Sequence, residues 1–326
     1  MAQYILRRVI QFIPVFLGVT VLLFAMRAVI PGNPVNMIAG EKALTPETRA
    51  MIIERNHLDD PLYIQYGYYM NDLLHGDFGH SYQKGRDVID IFADKFPQTA
   101  RLAVAAICIE IIAGIGVGVV SAIKKYSFID MLLTLSTSML VSMPVFWLGL
   151  LLQFVFGIWL KRISNGALSL PISGAGGPIS LYPSFMHLIL PAITLASVSM
   201  GVTARIMRSQ LLEVMSQDYI RTAYAKGLSK RDVITKHALK NAMIPVVTFI
   251  GIDFGVMMSG AIMTESVYSW PGVGREIYLA ITQRDWPIVL GGVVIIIILV
   301  MAINLLIDIS YALLDPRIRY GDKQAE

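Results

Sequence analysis

The chain has 326 residues, of which 55% are hydrophobic and only 15% charged, and its formal net charge is +4; the mean hydropathy is +0.62. A water-soluble globule carries about 25% charged residues, so this composition excludes an ordinary soluble enzyme of two domains and requires lipid as the solvent of the apolar faces. The weak positive charge comes with no basic tail and no aromatic-basic interleaving, which argues against nucleic acid as a partner, and a single cysteine excludes an internal disulfide and leaves no thiolate metal site.

Arg7 and Arg8 open an apolar stretch from Val9 to Ile30. It is too long for a signal-peptide core and no small-x-small cleavage site follows, so it reads as an uncleaved first spanning helix. Five further segments are long and apolar enough to span: Leu102 to Ile123, Ile129 to Leu160, His187 to Met207, Ala242 to Met263 and Ile288 to Leu314. The third is too long for one straight crossing, and Pro144 inside it predicts a kink or a projecting end. Cys108 lies within the second, where a small core residue is expected. Between spans one and two, Thr45-Pro46-Glu47 is a helix start and His57-Leu58-Asp59-Asp60-Pro61 a break before an amphipathic stretch from Tyr63 to Leu74. A small helical subdomain is expected there. The loop Ser164 to Ser184 is rich in Gly, Ser and Pro and is expected to be irregular. In Thr264 to Asp285 a turn at Ser269-Trp270-Pro271-Gly272-Val273-Gly274 precedes a short amphipathic helix, and Trp270, Tyr278 and Trp286 suit a membrane interface.

Lys and Arg set the orientation. Arg7 and Arg8, Lys124 and Lys125, the cluster Arg205 to Lys240, and Arg317, Arg319 and Lys323 all fall on one side of a six-span chain. The positive-inside rule makes that side the cytoplasm, with both termini there. The segment Pro31 to Gln98 has ten acidic residues against six basic ones, as an outer segment should, while Lys161 and Arg162 are the exception.

The loop between spans four and five carries the most information. Tyr219, Ile220, Ala223 and Gly227 are spaced as one helix face, Gly227 is a helix stop, and Ser229 with Asp232 three residues on is a second start. The expectation is two short helices joined at a glycine, with small residues that let a partner backbone approach and cations that pair with its acids. An ordinary basic loop that fixes topology accounts for the same composition.

Asp218-Tyr219-Ile220-Arg221-Thr222-Ala223-Tyr224-Ala225-Lys226-Gly227-Leu228, followed by His237-Ala238-Leu239-Lys240-Asn241-Ala242, resembles the cytoplasmic signature of ABC importer permeases. That signature is Glu-Ala-Ala, three residues, Gly, nine residues, Ile-x-Leu-Pro. Ala223, Gly227 and Leu239 match it; Arg221 and Thr222 replace the Glu and first Ala, His237 the Ile and Lys240 the Pro, as in the dipeptide and oligopeptide branch. The likeness covers nearly the whole chain, from Tyr4-Ile5-Leu6-Arg7-Arg8 and Ile30-Pro31-Gly32-Asn33-Pro34 through His75-Gly76-Asp77-Phe78-Gly79-His80-Ser81 and Gln283-Arg284-Asp285-Trp286-Pro287 to Leu314-Asp315-Pro316-Arg317. It is similar to the first permease subunit of bacterial dipeptide/oligopeptide importers. The resemblance implies an all-α integral membrane protein, a type I ABC importer permease with six transmembrane helices and an external subdomain after the first. Its parts would be residues 1–95, a permease domain 96–311 with a coupling loop about 208–241, and a tail 312–326. It also implies a location in a bacterial or archaeal cytoplasmic membrane and four kinds of partner: a homologous second permease, two ATPase subunits that bind ATP and Mg²⁺, an external substrate-binding protein, and a peptide cargo moved by alternating access. Asp218, Tyr219, Arg221, Thr222, Ala223, Lys226, Gly227 and Leu239 would serve the ATPase coupling. Trp270, Pro271, Gly272, Gly274 and Arg275 would serve the external gate and the binding-protein contact.

No Gly-x-x-x-x-Gly-Lys-Ser/Thr run occurs, so this chain is not expected to hydrolyse ATP or to be an enzyme, and it calls for no cofactor of its own. The Gly114 to Gly118 patch lies in apolar helix, where close helix packing explains it. Acids within spans are costly, so Glu110, Asp253 and Asp308, with Arg27 nearer an end, are candidates for function. Interhelical hydrogen bonding or a water-filled cavity is the more ordinary explanation of them, with structural anchoring favoured for Asp308. Asp253 and Glu110 are the two candidates for the translocation path, where a peptide ammonium would pair with Asp253. The five His form no ligand cluster, and no metal is expected. An ion-coupled secondary transporter is the alternative class, against which stands the lack of an internal repeat. Nickel, metallophore, glutathione or oligosaccharide cargo on the same architecture stays open.

Overall fold

A computed structural model describes residues 2–29, 35, 45–55, 57–176 and 181–314. The Ile30–Pro34 motif, the tail from Asp315 with Arg317, Arg319 and Lys323, and the side chain of Asp308 lie outside the described residues. Twelve helices are described: α1 Ala2–Val29, α2 Pro46–Arg55, α3 Leu62–Leu74, α4 Val88–Ile123, α5 Phe128–Ser142, α6 Val145–Ile163, α7 Leu181–Met215, α8 Asp218–Ala225, α9 Lys230–Met258, α10 Ile262–Val267, α11 Val273–Gln283 and α12 Trp286–Leu314. Six of them (α1, α4, α6, α7, α9 and α12) are long and apolar enough to cross a membrane. They fall on the six hydropathic segments. Their apolar side chains are widely exposed, as with Ile10, Ile112, Phe154 and Val256; in lipid these faces need no protein cover.

The third segment is two helices and not one bent one. Met143 and Pro144 are both extended (ψ 133° and 129°), separating α5 from α6. The Pro144 ring disfavours the α conformation at the preceding residue, and its missing N–H cannot continue the ladder. With 15 residues, α5 reaches about 22 Å, short of a 30 Å hydrocarbon core. α6 is the crossing element.

The chain divides into two compact units, residues 1–97 with 272–306 and residues 98–271 with 307–326. In the first, α3 lies against α1: the Thr20 and Tyr66 hydroxyls hydrogen-bond at 3.0 Å, and the Phe24 ring meets Tyr66 edge-on at 5.6 Å. The core of this unit joins Val88, Ile91 and Phe92 of α4 to Val273, Ile277 and Ala280 of α11 and Ile288, Val289 and Ile295 of α12. Gly291 and Gly292 make that packing possible. A Cβ on Gly291 would collide with the Phe78 carbonyl and one on Gly292 with the Phe92 ring. The loop before α4 is tied to the start of α12 by Asp285, whose carboxylate accepts from Ser81 Oγ (2.5 Å) and the N–H groups of Tyr82 and Gln83 (3.2 Å each). Lys84 forms an ion pair with the buried Glu276.

In the second unit α7 is central, packing against α4, α5, α6 and α9. Its 35 residues extend roughly 50 Å, well beyond a bilayer core. Small residues let its neighbours close in. A Cβ on Gly118 would stand 2.6 Å from Ala204 O, and one on Gly201 2.8 Å from Thr137 O. The expected close packing at Gly114 to Gly118 is therefore present, beside a π-helical turn at Glu110–Gly114. Cys108 is exposed on the outward face of α4 and is not a core residue; the apolar run around it faces lipid as well as protein.

Candidate functional site

The segment that follows α7 begins with Gln217 in extended conformation and turns into α8. Ile220 and Ala223 are buried, against the first turns of α9. Asp218, Tyr219, Arg221, Thr222, Tyr224, Ala225 and Lys226 form the exposed face. Thr222 Oγ1 donates to Asp218 O (3.0 Å), and Arg221 pairs with Asp218 at 3.2 Å. The helix ends in a Schellman turn: Leu228 N–H donates to Ala223 O (3.4 Å) and Gly227 N–H to Tyr224 O (2.9 Å), with Gly227 at φ +81°. Ser229 then caps α9, accepting from Asp232 N–H at 3.2 Å, and Lys236 pairs with Asp232 at 2.7 Å.

Two expectations change here. The second helix is not short: after the cap it runs through a π-helical turn at Val233–Ala238, past the half-buried Leu239, into the long spanning helix α9. Ala223 does not lie on an open face of small residues but points into the chain. Tyr219 is the residue that bridges the two helices from outside, its hydroxyl accepting from Asn241 Nδ2 at 2.9 Å.

At the base of this projecting segment is an ion pair that the charge count alone did not single out. Arg208 of α7 donates from Nε and Nη2 to the two carboxylate oxygens of Asp130 on α5, both at 2.8 Å. Asp130 also accepts from Tyr126 N–H (2.9 Å) and from Ser121 Oγ, and its side chain is only 6% exposed. The legible signal was Ser127 three residues before an Asp at the head of an apolar helix: Ser127 caps α5 and Asp130 is left facing inward. A planar fork on a carboxylate fixes orientation as well as distance.

Inside the spans, Glu110 is fully buried; its Oε1 accepts from Thr203 Oγ1 at 2.6 Å, while Oε2 meets no donor among the described residues other than the Asp253 carboxyl. Asp253 of α9 lies within hydrogen-bond reach of Glu110, and apart from that carboxyl its Oδ2 is buried with no donor among the described residues. The fold thus brings together the two acids expected to mark a path. Two buried carboxyls this close share a proton or hold a cation between them, because two bare carboxylates would repel each other.

The Trp270 region is built differently from expectation. Trp270 is 0% exposed; Nε1 donates to Gln98 O at 2.9 Å and the Arg101 guanidinium stands 5.8 Å from its ring centre. It is a core anchor and not an interface aromatic. Gly272 and Gly274 are buried, and Pro271 and Arg275 are half-buried. The neighbouring α11 presents Tyr278 and Ile281, each about half exposed, to the outside. Two of the histidines are held locally: His80 Nδ1 with Asp87 Oδ1 and His75 Nδ1 with Asn71 O, each at 2.8 Å.

Six helices long and apolar enough to span, around a central helix longer than a bilayer core is thick, define a multi-pass membrane protein. Two family models match: "Binding-protein-dependent transport system inner membrane component" over residues 114–320, and the N-terminal region of such membrane components over residues 1–103. The chain is 40% identical over 334 residues to the dipeptide transport system permease protein DppB of Alkalihalophilus pseudofirmus, covering 98% of this chain and 100% of the relative. It is 39% identical over 337 residues to the protein of the same name from Escherichia coli, covering 98% and 99%. A methionine ABC transporter solved in inward-facing conformations shares the fold, with a TM-score of 0.50 at 17% identity over 68% of this chain and 94% of that one. This chain belongs to the family of binding-protein-dependent transport system inner membrane components.

Proposed function

We propose that this chain forms half of the translocation path of an ATP-driven importer of short peptides. The observation that carries the reading is end-to-end likeness at 40% identity to a dipeptide permease. As a permease subunit it hydrolyses no ATP itself; that reaction belongs to separate subunits. Its partners are a homologous second permease, two ATPases at the cytoplasmic face and an external binding protein. Both termini are cytoplasmic, which places α8 inside and the 45–87 segment and α11 outside.

Residues 1–95 form the first span and external subdomain, 96–311 the permease domain and 312–326 the tail. The exposed face of α8, from Asp218 to Lys226, docks on the ATPase. Buried Ile220 and Ala223 hold it to α9, and the Gly227 turn and Leu239 fix its angle to that helix. Motion of the ATPases is delivered to α7 and α9 together, because α8 is joined to both. Asp253 and Glu110 line the path and pair in passing with a peptide ammonium. Trp270, Pro271, Gly272, Gly274 and Arg275 shape the outer gate from within, leaving contact with the binding protein to the exposed side of α11.

The test is co-purification and uptake. Tagged chain should bring down two ATPases and a second permease, and vesicles of this complex should accumulate labelled dipeptide only with the binding protein present. Uptake that proceeds without ATPases but follows an ion gradient would overturn the reading in favour of secondary transport.

A further inference from the structure

Residues 1–97 with 272–306 enclose a cleft of about 820 Å³ that the proposed mechanism does not use. Its volume lies in the range of small-molecule sites, roughly 300–1,000 Å³. Arg27, from the last turn of α1, is on its wall, and so are Tyr68, Tyr69 and Asp72 of α3 and Tyr82 of the following loop. The stacked rings of His57 and Tyr68, 4.0 Å apart, add an aromatic surface.

Two opposite charges stand open on this wall. The Arg27 guanidinium has the Phe24 ring 5.6 Å from it and no carboxylate partner among the described residues. Near it are two phenols. Burial pushes the Tyr82 and Tyr69 hydroxyls up from their ordinary range, and the Arg27 charge pulls each back, so both lie within its electrostatic reach. The Tyr69 hydroxyl is shielded from water and has no hydrogen-bond partner among the described residues. A guanidinium flanked by free phenol donors suits a carboxylate. The Asp72 carboxylate likewise makes no hydrogen bond or ion pair among the described residues, whereas the other two aspartates of the cleft are engaged, one by Gly79 N–H and one by His80. A free carboxylate suits an ammonium.

We propose that this cleft is a binding site on the permease itself for short zwitterionic peptides, with Arg27, Tyr69 and Tyr82 taking the terminal carboxylate and Asp72 the terminal ammonium. The proposal rests on the peptide-cargo reading. A peptide suits the cleft better than an anionic lipid headgroup, which would face three aspartates and leave most of the volume empty. The site gives a peptide released by the binding protein a second holding point before the path opens.

The test uses the permease assembled with its partner permease and ATPases in lipid nanodiscs, without binding protein, titrated with Ala-Phe and its C-amidated and N-acetylated forms by calorimetry. Wild type should bind Ala-Phe weakly and saturably. Arg27→Gln and Asp72→Asn should each weaken binding about tenfold, the loss of one charge-assisted contact. The amide should be indifferent to Arg27→Gln and the acetylated peptide to Asp72→Asn, a pattern that general unfolding cannot produce. Glu54→Gln, on the same subdomain but off the cleft, should bind as wild type. Absence of binding, unchanged binding in Arg27→Gln, or a phospholipid held there that Ala-Phe does not displace would overturn the site. Binding-protein-dependent uptake of Ala-Phe by the same complex separates the two ideas: uptake without direct binding removes only this site, and loss of both removes the cargo reading as well.

Discussion

The Gly227 turn offers a graded test of coupling. A Cβ built on Gly227 meets nothing within 4 Å, so side-chain size is not constrained there. The constraint is the backbone, held at φ +81° by the two Schellman hydrogen bonds. An L-residue pays about 1–2 kcal/mol in this conformation, Asn less because its side chain tolerates it. One to two kcal/mol is a factor of about 5–30 in the ratio of the correctly turned segment to its other conformers. Gly227→Asn should keep most of the binding-protein-stimulated ATP hydrolysis, Gly227→Ala should lose several-fold, and Gly227→Val should lose most. Complex assembly by size exclusion should change far less than coupled hydrolysis, since α8 remains anchored by Ile220 and Ala223. Equal activity across the three variants, or a loss ordered by side-chain volume instead of by left-handed tolerance, would refute the reasoning.

Other predictions follow from the packing. Asp130→Asn leaves the Arg208 fork without its counter-charge and should cost about 2 kcal/mol, less than a fully buried pair because Arg208 is part-exposed; it is measured as a lowered midpoint in detergent melting, with Asp130→Leu combined with Arg208→Met recovering part of the loss. Gly118→Ala should destabilise by about 1–3 kcal/mol through its clash with Ala204 O and Met207, while Gly116→Ala, which meets nothing within 4 Å, should be neutral or slightly stabilising. Folded yield and melting midpoint distinguish the pair. Asp253→Asn should lower peptide uptake at unchanged abundance; normal transport in that variant removes Asp253 from the path.

Much of this architecture is written in local pattern. Six apolar stretches of sufficient length, Pro144 as a break, Thr45 and Pro61 as helix boundaries, and Gly227 and Ser229 as a stop and a start all depend on residues within a few positions of one another. Backbone conformation and transfer into lipid are determined at that range, so they are legible without partners. The tertiary structure decided the rest. Trp270 has the composition of an interface anchor, yet it is buried because Gln98 O accepts its indole N–H from 172 positions away. Asp130 meets Arg208 across 78 positions, and Glu110 meets Thr203 across 93. Ala223 faces inward because the first turns of α9, continuous with a spanning helix, occupy that side. Such pairings depend on which helices approach closely, and that is governed by a few small residues, Gly118 against Ala204 among them, whose partners no local pattern names. The sequence by itself determined a six-span membrane chain with a capped helical segment between spans four and five. Only the tertiary structure decided which charges are paired, which aromatics are core and which face of that segment is open, because each is a property of long-range contact.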